Sequence, residues 1–409
     1  MEFASASCTL QPKDPFYLMG YVQRSMPAQG IHDYPQVNTA VVSLAGHRLV
    51  ICIIDVCVIS REVSNQIKKD LIKKFDLDFL DITLTALHSH SCPGGTQSNH
   101  NFGAKNDDTA FLTQVKNAVS KTVAACLSNL QPASALIRKT PILGCFSNRN
   151  DLQEKYDNEI IEIEFYHQRQ LLGVLLSVPC HSTVLGPNND QCSSDLIGAL
   201  RNQMAAYLKT SVIAFMAAAG DISTRQYRQS DDFMELERVS AEIFSQLKER
   251  TGFSPLSLTQ FRLNLLEHTI DYDGSDRKEE LYQIQKETEA LLADPGLSHD
   301  QRKLSMTTKA VIENKLKNQQ VHLDVITKVY HLGGLVLVAF GSELSSILGL
   351  RIKAACACPV VFMTPADEDL GYFIEADKYG QYYETIASDV PIGFPEKIVD
   401  AICGTIKQE

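Results

Sequence analysis

The sequence has no dense block of lysine and arginine: 38 basic residues face 49 acidic ones, for a net charge of −11. That balance argues against nucleic acid or an anionic membrane as a partner. Long hydrophobic runs are missing too. The longest, at 49–59, 212–219 and 335–340, are too short or too interrupted to span a bilayer, so no stable membrane anchor is expected. The opening MEFASASCTLQPKD has neither the basic stretch nor the apolar core of a secretion signal. No CxxC pair occurs; Cys356 and Cys358 form CxC, which reads as structural. The eleven cysteines are odd in number and scattered, which predicts reduced, buried thiols and a cytoplasmic location. No internal repeat or low-complexity tract is visible.

What is present is ordinary globular material. Apolar residues make up 44% and charged residues 21%, enough for a sizeable core in 409 residues. Short, β-branched apolar runs at 39–43, 48–58, 81–86, 159–165, 171–178, 212–217 and 335–340 read as buried strands. Helical patterns at 60–75, 109–127, 193–208, 231–251 and 345–355 lie between them. The alternation predicts an α/β fold: one large domain over 1–409, a mixed sheet core flanked by helices, and a site at the C-terminal ends of strands. The stretch 276–320 is rich in Lys, Glu, Gln and Leu, and reads as a helical insertion broken at Asp294-Pro295-Gly296. A solvated hairpin is the expectation for it, a lid or a dimer surface the other reading. Oligomeric state is not legible.

The chemistry concentrates where strands end. LHSHSCPGG places His88 and His90 directly after an apolar run, and with a period of two both point to one side of an extended segment. That spacing suits two imidazoles on one metal, or one ligand beside an acid/base group, but it also fits ordinary loop histidines. His181 follows the run at 171–178, with Ser193–Asp195 a good helix start after it. Asp221 and Ser223 follow the run at 212–217, and Glu343 follows the one at 335–340, where it could equally favour a helix N-terminus. Four such ends suggest one shared rim. Two histidines and one glutamate make a familiar catalytic zinc set.

These residues also resemble a known family, the catalytic domain of neutral (non-lysosomal) ceramidases. The similar segments run in order along the chain: MGY at 19–21, GIHD at 30–33, LTALHSHSCPGG at 84–95, SNRN at 147–150 with DNEIIEIEF after it, CHSTVLGPNNDQCSSD at 180–195, GDIST at 220–224, FGSEL at 340–344 and DEDLGYFIEADKYGQYYE at 367–384. The resemblance implies a Zn2+ ion held by His88, His181, Glu343 and Tyr372. It implies His90 as an oxyanion-stabilising group, Arg149 near the scissile bond, Ser223 as a site serine and Tyr383 as a second tyrosine beside the metal. The chain departs from the family at three positions. Cys92 stands for the first glycine of the histidine loop, Asp369 for a tyrosine, and Thr224 for a proline. The residues end where the family's catalytic domain ends, so the resemblance leads to the expectation of a short form lacking the family's C-terminal immunoglobulin-like domain.

The activity implied is zinc-dependent amide hydrolysis of a ceramide-like or other small-molecule N-acyl substrate by metal-activated water, with His90 and Tyr383 donating to the oxyanion. Asp221 is a candidate acceptor behind a ligating histidine. Two alternatives share the site: acyl transfer or amide-forming cyclisation in biosynthesis, and a silent metal-binding homologue.

Overall fold

The computed structural model describes residues 1–96 and 108–407. It contains three main sheets of mixed direction. In the first the spatial order is Ile82–Ala86, His47–Ile54, Gln36–Leu44, Glu2–Thr9 and the short Gln131–Pro132. The second runs Val212–Met216, Gln170–Val178, Glu159–His167, Ser134–Pro141, Ser254–Leu256. The third runs Leu258–Asp273, Gln320–Gly333, Val336–Phe340, Val360–Met363.

One unit recurs in all three. An antiparallel pair is followed by a helix and then by a strand parallel to the second member of the pair. In the first sheet Gln36–Leu44 and His47–Ile54 lead through the helix Arg61–Lys74 to Ile82–Ala86. In the second, Glu159–His167 and Gln170–Val178 lead through Asp195–Leu208 to Val212–Met216. In the third, Gln320–Gly333 and Val336–Phe340 lead through Ser346–Ala355 to Val360–Met363. A parallel strand needs such a crossover, because its start lies at the far end of its neighbour. The parallel strands are buried on both faces, which is why VIAFM and VVFM read as unbroken apolar runs and ITLTA carries no charge.

Helix boundaries follow local chemistry. Ser60 accepts the N–H of Val63 and starts Arg61–Lys74, and Ser345 does the same for Leu348 ahead of Ser346–Ala355. The inner faces of the first two sheets meet in one apolar cluster, where the Phe3 and Phe165 rings stack at 3.9 Å. The third sheet joins that cluster through Leu335, Leu337, Ala339 and Val361. Its other face is covered by Ser346–Ala355 and Phe394–Ile406. The outer face of the first sheet is covered by Arg61–Lys74 and Thr109–Ser128. Among the described residues no helix is long and apolar enough to cross a membrane.

The structure adjusts several sequence readings. The strand expected over 48–58 leaves its sheet after Ile54; the next residues run beside the site loop, with the His88 N–H donating to the Val56 carbonyl. The helix expected over 231–251 spans Phe233–Leu247. The insertion is a helical pair, Lys278–Leu292 and His299–Lys317, with Ser298 and Gln301 forming a capping box at the second helix. It grows from the tip of a long hairpin, Leu258–Asp273 against Gln320–Gly333, that the sequence reading did not contain. The pair is not solvated all round. Arg228 pairs with Asp300 at 2.6 Å, Gln23 donates to the Lys303 carbonyl, and Lys315 donates to the Ser388 carbonyl at 2.6 Å.

Candidate metal centre

His88, His181 and Glu343 follow strands of three different sheets, and their ligand atoms lie within 4.8 Å of one another. Backbone hydrogen bonds hold the strand ends together. Between sheets, the Thr364 N–H donates to the Met216 carbonyl and Asp367 to Leu84; within the second and third sheets, Ala217 donates to Val178 and Ala366 to Phe340. All three side chains are buried, at 2%, 1% and 6% exposure, so a charge there needs a partner.

The two imidazoles are fixed alike. His88 Nδ1 donates to the Cys57 carbonyl at 2.9 Å, and His181 Nδ1 to the Ile222 carbonyl at 3.0 Å. A carbonyl can only accept, so the proton sits on Nδ1, and in the neutral ring the lone pair is on Nε2. Both Nε2 atoms turn toward the Glu343 carboxylate, at 3.6 Å from His88 and 2.7 Å from His181. Two lone pairs and an anion converging in a dry pocket repel unless a cation lies between them. This donor set fits a divalent metal, with backbone carbonyls orienting the ligands from behind.

Protonation of the imidazoles at Nε2 is the other way to relieve that repulsion, and the pKa shifts follow from it. Burial opposes ionisation of Glu343, yet the His88 charge and hydrogen bonds from both imidazoles outweigh it and hold the carboxyl well below its usual range. Burial works against protonation of His88, but Glu343 reverses this and raises it. His181 is lowered, first by burial and then by the Arg149 charge.

The surrounding side chains are placed as follows. His90 Nε2 lies 3.4 Å from His88 Nε2, and its buried Nδ1 has no hydrogen-bond partner. Burial, with the charge of His88, pushes it well below the usual histidine range, which keeps the ring neutral. Gly20 lets the chain pass against this ring: with φ of +107°, a Cβ there would stand 2.5 Å from His90 Cγ. The Tyr21 ring packs edge-on to His90 at 5.2 Å, and Lys303 of the insertion sits 4.5 Å from the Tyr21 centroid. Tyr372 pairs with Glu343 in a two-strand parallel ladder, and Tyr383 lies 6.0 Å from it, ring to ring. The Arg149 guanidinium lies over the Tyr372 ring at 5.3 Å and pairs with Glu384, while its Nη2 is buried without a hydrogen bond. Ser223 follows the carbonyl that orients His181, and its hydroxyl accepts the Arg225 N–H. Asp369 contributes a carboxyl that burial, and then the Glu343 charge, push up to about 6.

Asp221 requires a correction. It does not orient a histidine; the Ile222 carbonyl does. Both Asp221 oxygens are engaged elsewhere, accepting from Ser346 N–H and hydroxyl at 2.7 and 2.9 Å and from Asn148 at 3.0 Å. It is a brace for the start of the helix Ser346–Ala355. The reverse error applies to Cys57, whose carbonyl fixes His88 and which no sequence signal marked. Cys92 is buried, its thiol donating to the Ser193 carbonyl at 3.3 Å, so it ties the histidine loop to the start of the helix Asp195–Leu208.

Comparisons with known proteins bear on the fold and the family. The solved neutral ceramidase from Pseudomonas aeruginosa is similar, with a TM-score of 0.70 at 16% identity, over 99% of this chain and 74% of that one. A structure of a ceramidase complexed with C2 gives 0.70 at 14% identity over the same shares. Identity this low establishes likeness of fold. No curated protein matches the sequence. A family profile for the N-terminal part of neutral/alkaline non-lysosomal ceramidases matches residues 11–226, more than half of the chain. By that match, and with a shared fold along nearly its whole length, the chain belongs to the neutral/alkaline non-lysosomal ceramidase family.

Proposed function

We propose that the chain is a zinc-dependent amidohydrolase that cleaves an N-acyl, ceramide-like amide. The observation that carries this reading is the pair of Nε2 atoms, each freed by an Nδ1 bond to a backbone carbonyl, facing the Glu343 carboxylate. His88, His181 and Glu343 would hold the ion. Tyr372, beside Glu343 in the ladder, would complete the set. Mixed nitrogen and oxygen donors make zinc the default among first-row ions. Such an ion polarises an amide carbonyl and brings the pKa of a water down to roughly 7.

The protein's own groups supply the rest. His90 stands next to His88 with a neutral ring, able to donate to an oxyanion as the carbonyl becomes tetrahedral. Tyr383 is a second donor; burial holds its phenol protonated far above neutral pH. The free Nη2 of Arg149 can orient a polar part of the substrate. Ser223, one residue beyond the His181 support, would shape the same wall. That ceramidases share this fold, one of them in complex with C2, supports a ceramide-like lipid as the substrate class. The odd number and scattered placement of the eleven cysteines in the sequence support a reducing, cytoplasmic location.

The test is metal analysis alongside product analysis with an N-acylsphingosine. Stoichiometric zinc and release of fatty acid are expected in the wild type, and loss of both in His181→Ala. A His181→Ala protein with full activity would overturn the assignment.

A further inference from the structure

A second donor set lies against the first. Cys57, His88 and His90 each offer a ligand atom, and these also lie within 4.8 Å of one another. The thiol comes from the segment just after His47–Ile54, the same residue whose carbonyl holds His88. Cys57 is 2% exposed, and the Nδ1 of His90 is buried without a partner. This set carries sulfur where the other carries a carboxylate, and softness of the ligand decides which cation prefers which.

We propose that Cys57, His88 and His90 form a second metal position, one that takes a thiophilic cation such as Cd2+ and excludes an ion from the His88–His181–Glu343 position. Exclusion follows from His88. Its Nδ1 proton is committed to the Cys57 carbonyl, so the ring has a single lone pair, on Nε2, and one ion at a time can use it. Binding replaces the S–H bond of Cys57 by an S–Cd bond and releases the proton to solvent. Burial favours the neutral thiol of Cys57, so the metal itself must displace the proton. The same event takes up His90 as a ligand. A soft cation therefore removes a ligand of the first position and the neighbouring donor ring together.

Titration of metal-stripped protein with Cd2+, followed by the ultraviolet thiolate-to-cadmium charge-transfer band, tests this. One equivalent should bring the band to its plateau with release of a proton, and Cys57→Ser should lose the band. A band that persists in Cys57→Ser places the sulfur elsewhere and overturns the proposal. Cadmium-edge X-ray absorption on the wild type gives an answer that does not depend on a variant folding: one sulfur neighbour is expected, and a shell of nitrogen and oxygen alone overturns it. In zinc-loaded protein the growing band should match released zinc; a chain holding both ions at once would refute the exclusion.

Discussion

His88 combines a strained backbone with a fixed ring. Its φ of +63° lies in the left-handed region, which costs a non-glycine residue on the order of 1–3 kcal/mol and persists only where the surroundings enforce it. Here the enforcement is visible: the N–H is held by Val56 and Nδ1 by Cys57. His90, by contrast, touches no carbonyl through its ring. This division of roles predicts that His90→Gln keeps its metal while turnover falls about 100- to 1000-fold, the usual cost of losing one oxyanion donor. Metal content and kcat measured on one preparation check it. Gly20→Ala should act on the same ring from the other side. The added Cβ has no room beside His90 Cγ and the positive φ disfavours alanine, so both kcat and melting temperature should drop.

At the scale of elements, Arg228 is a tether between the insertion and the site-bearing loops. Arg228 donates to Asp300 in the helix His299–Lys317 and to the carbonyls of Thr183 and Val184 just beyond His181. Arg228→Met is expected to speed amide exchange in His299–Lys317 and leave the distant helix Phe394–Ile406 unchanged; equal rates in wild type and variant would show the tether to be idle. The elements also show what a single sequence conveys. Val212–Met216 and Val336–Phe340 were legible because burial on both faces demands an unbroken apolar run. The hairpin arm Leu258–Asp273 was not, because LTQFRLNLLEHTIDYD is largely half-exposed and carries polar residues throughout. Glu2–Thr9 escaped for another reason: its Ala and Ser residues have weak strand preference, and pairing with Gln36–Leu44 settles it. Within the site, the histidines and Glu343 stood out by chemistry and position, and the family resemblance added Tyr372. The partners of their far nitrogens are backbone carbonyls, which every residue has, so no residue type could mark Cys57 or Ile222.

For the whole molecule, stability should depend on pH through a buried cluster that bridges the first and third sheets. Asp367 accepts from Lys68 at 2.6 Å and from Lys328 at 2.8 Å. Burial opposes its ionisation, but the two lysines outweigh this and bring it down to about 2. A carboxyl depressed in the folded state stabilises the protein above the ordinary pKa of aspartate. That contribution is lost as pH falls from about 4 through about 2. The melting temperature should therefore drop across that window, and Asp367→Asn should flatten the drop. At neutral pH the variant should be less stable by about 3–5 kcal/mol, the typical cost of leaving a buried charge without its partner. Denaturant melts of the two proteins at several pH values decide the matter.

The three donors His88, His181 and Glu343 are each rooted in a separate sheet. An ion clasped by all three acts as a rivet through the entire fold. It cannot be gripped by any fragment in which one sheet is missing, so loading reports that assembly is complete. Free energy of ion binding becomes free energy of folding, rising by RT ln(1 + [ion]/Kd), and a chelator should lower the melting temperature of every sheet in a single transition. Separate melting of the third sheet at an unchanged temperature would show that the rivet does not reach it.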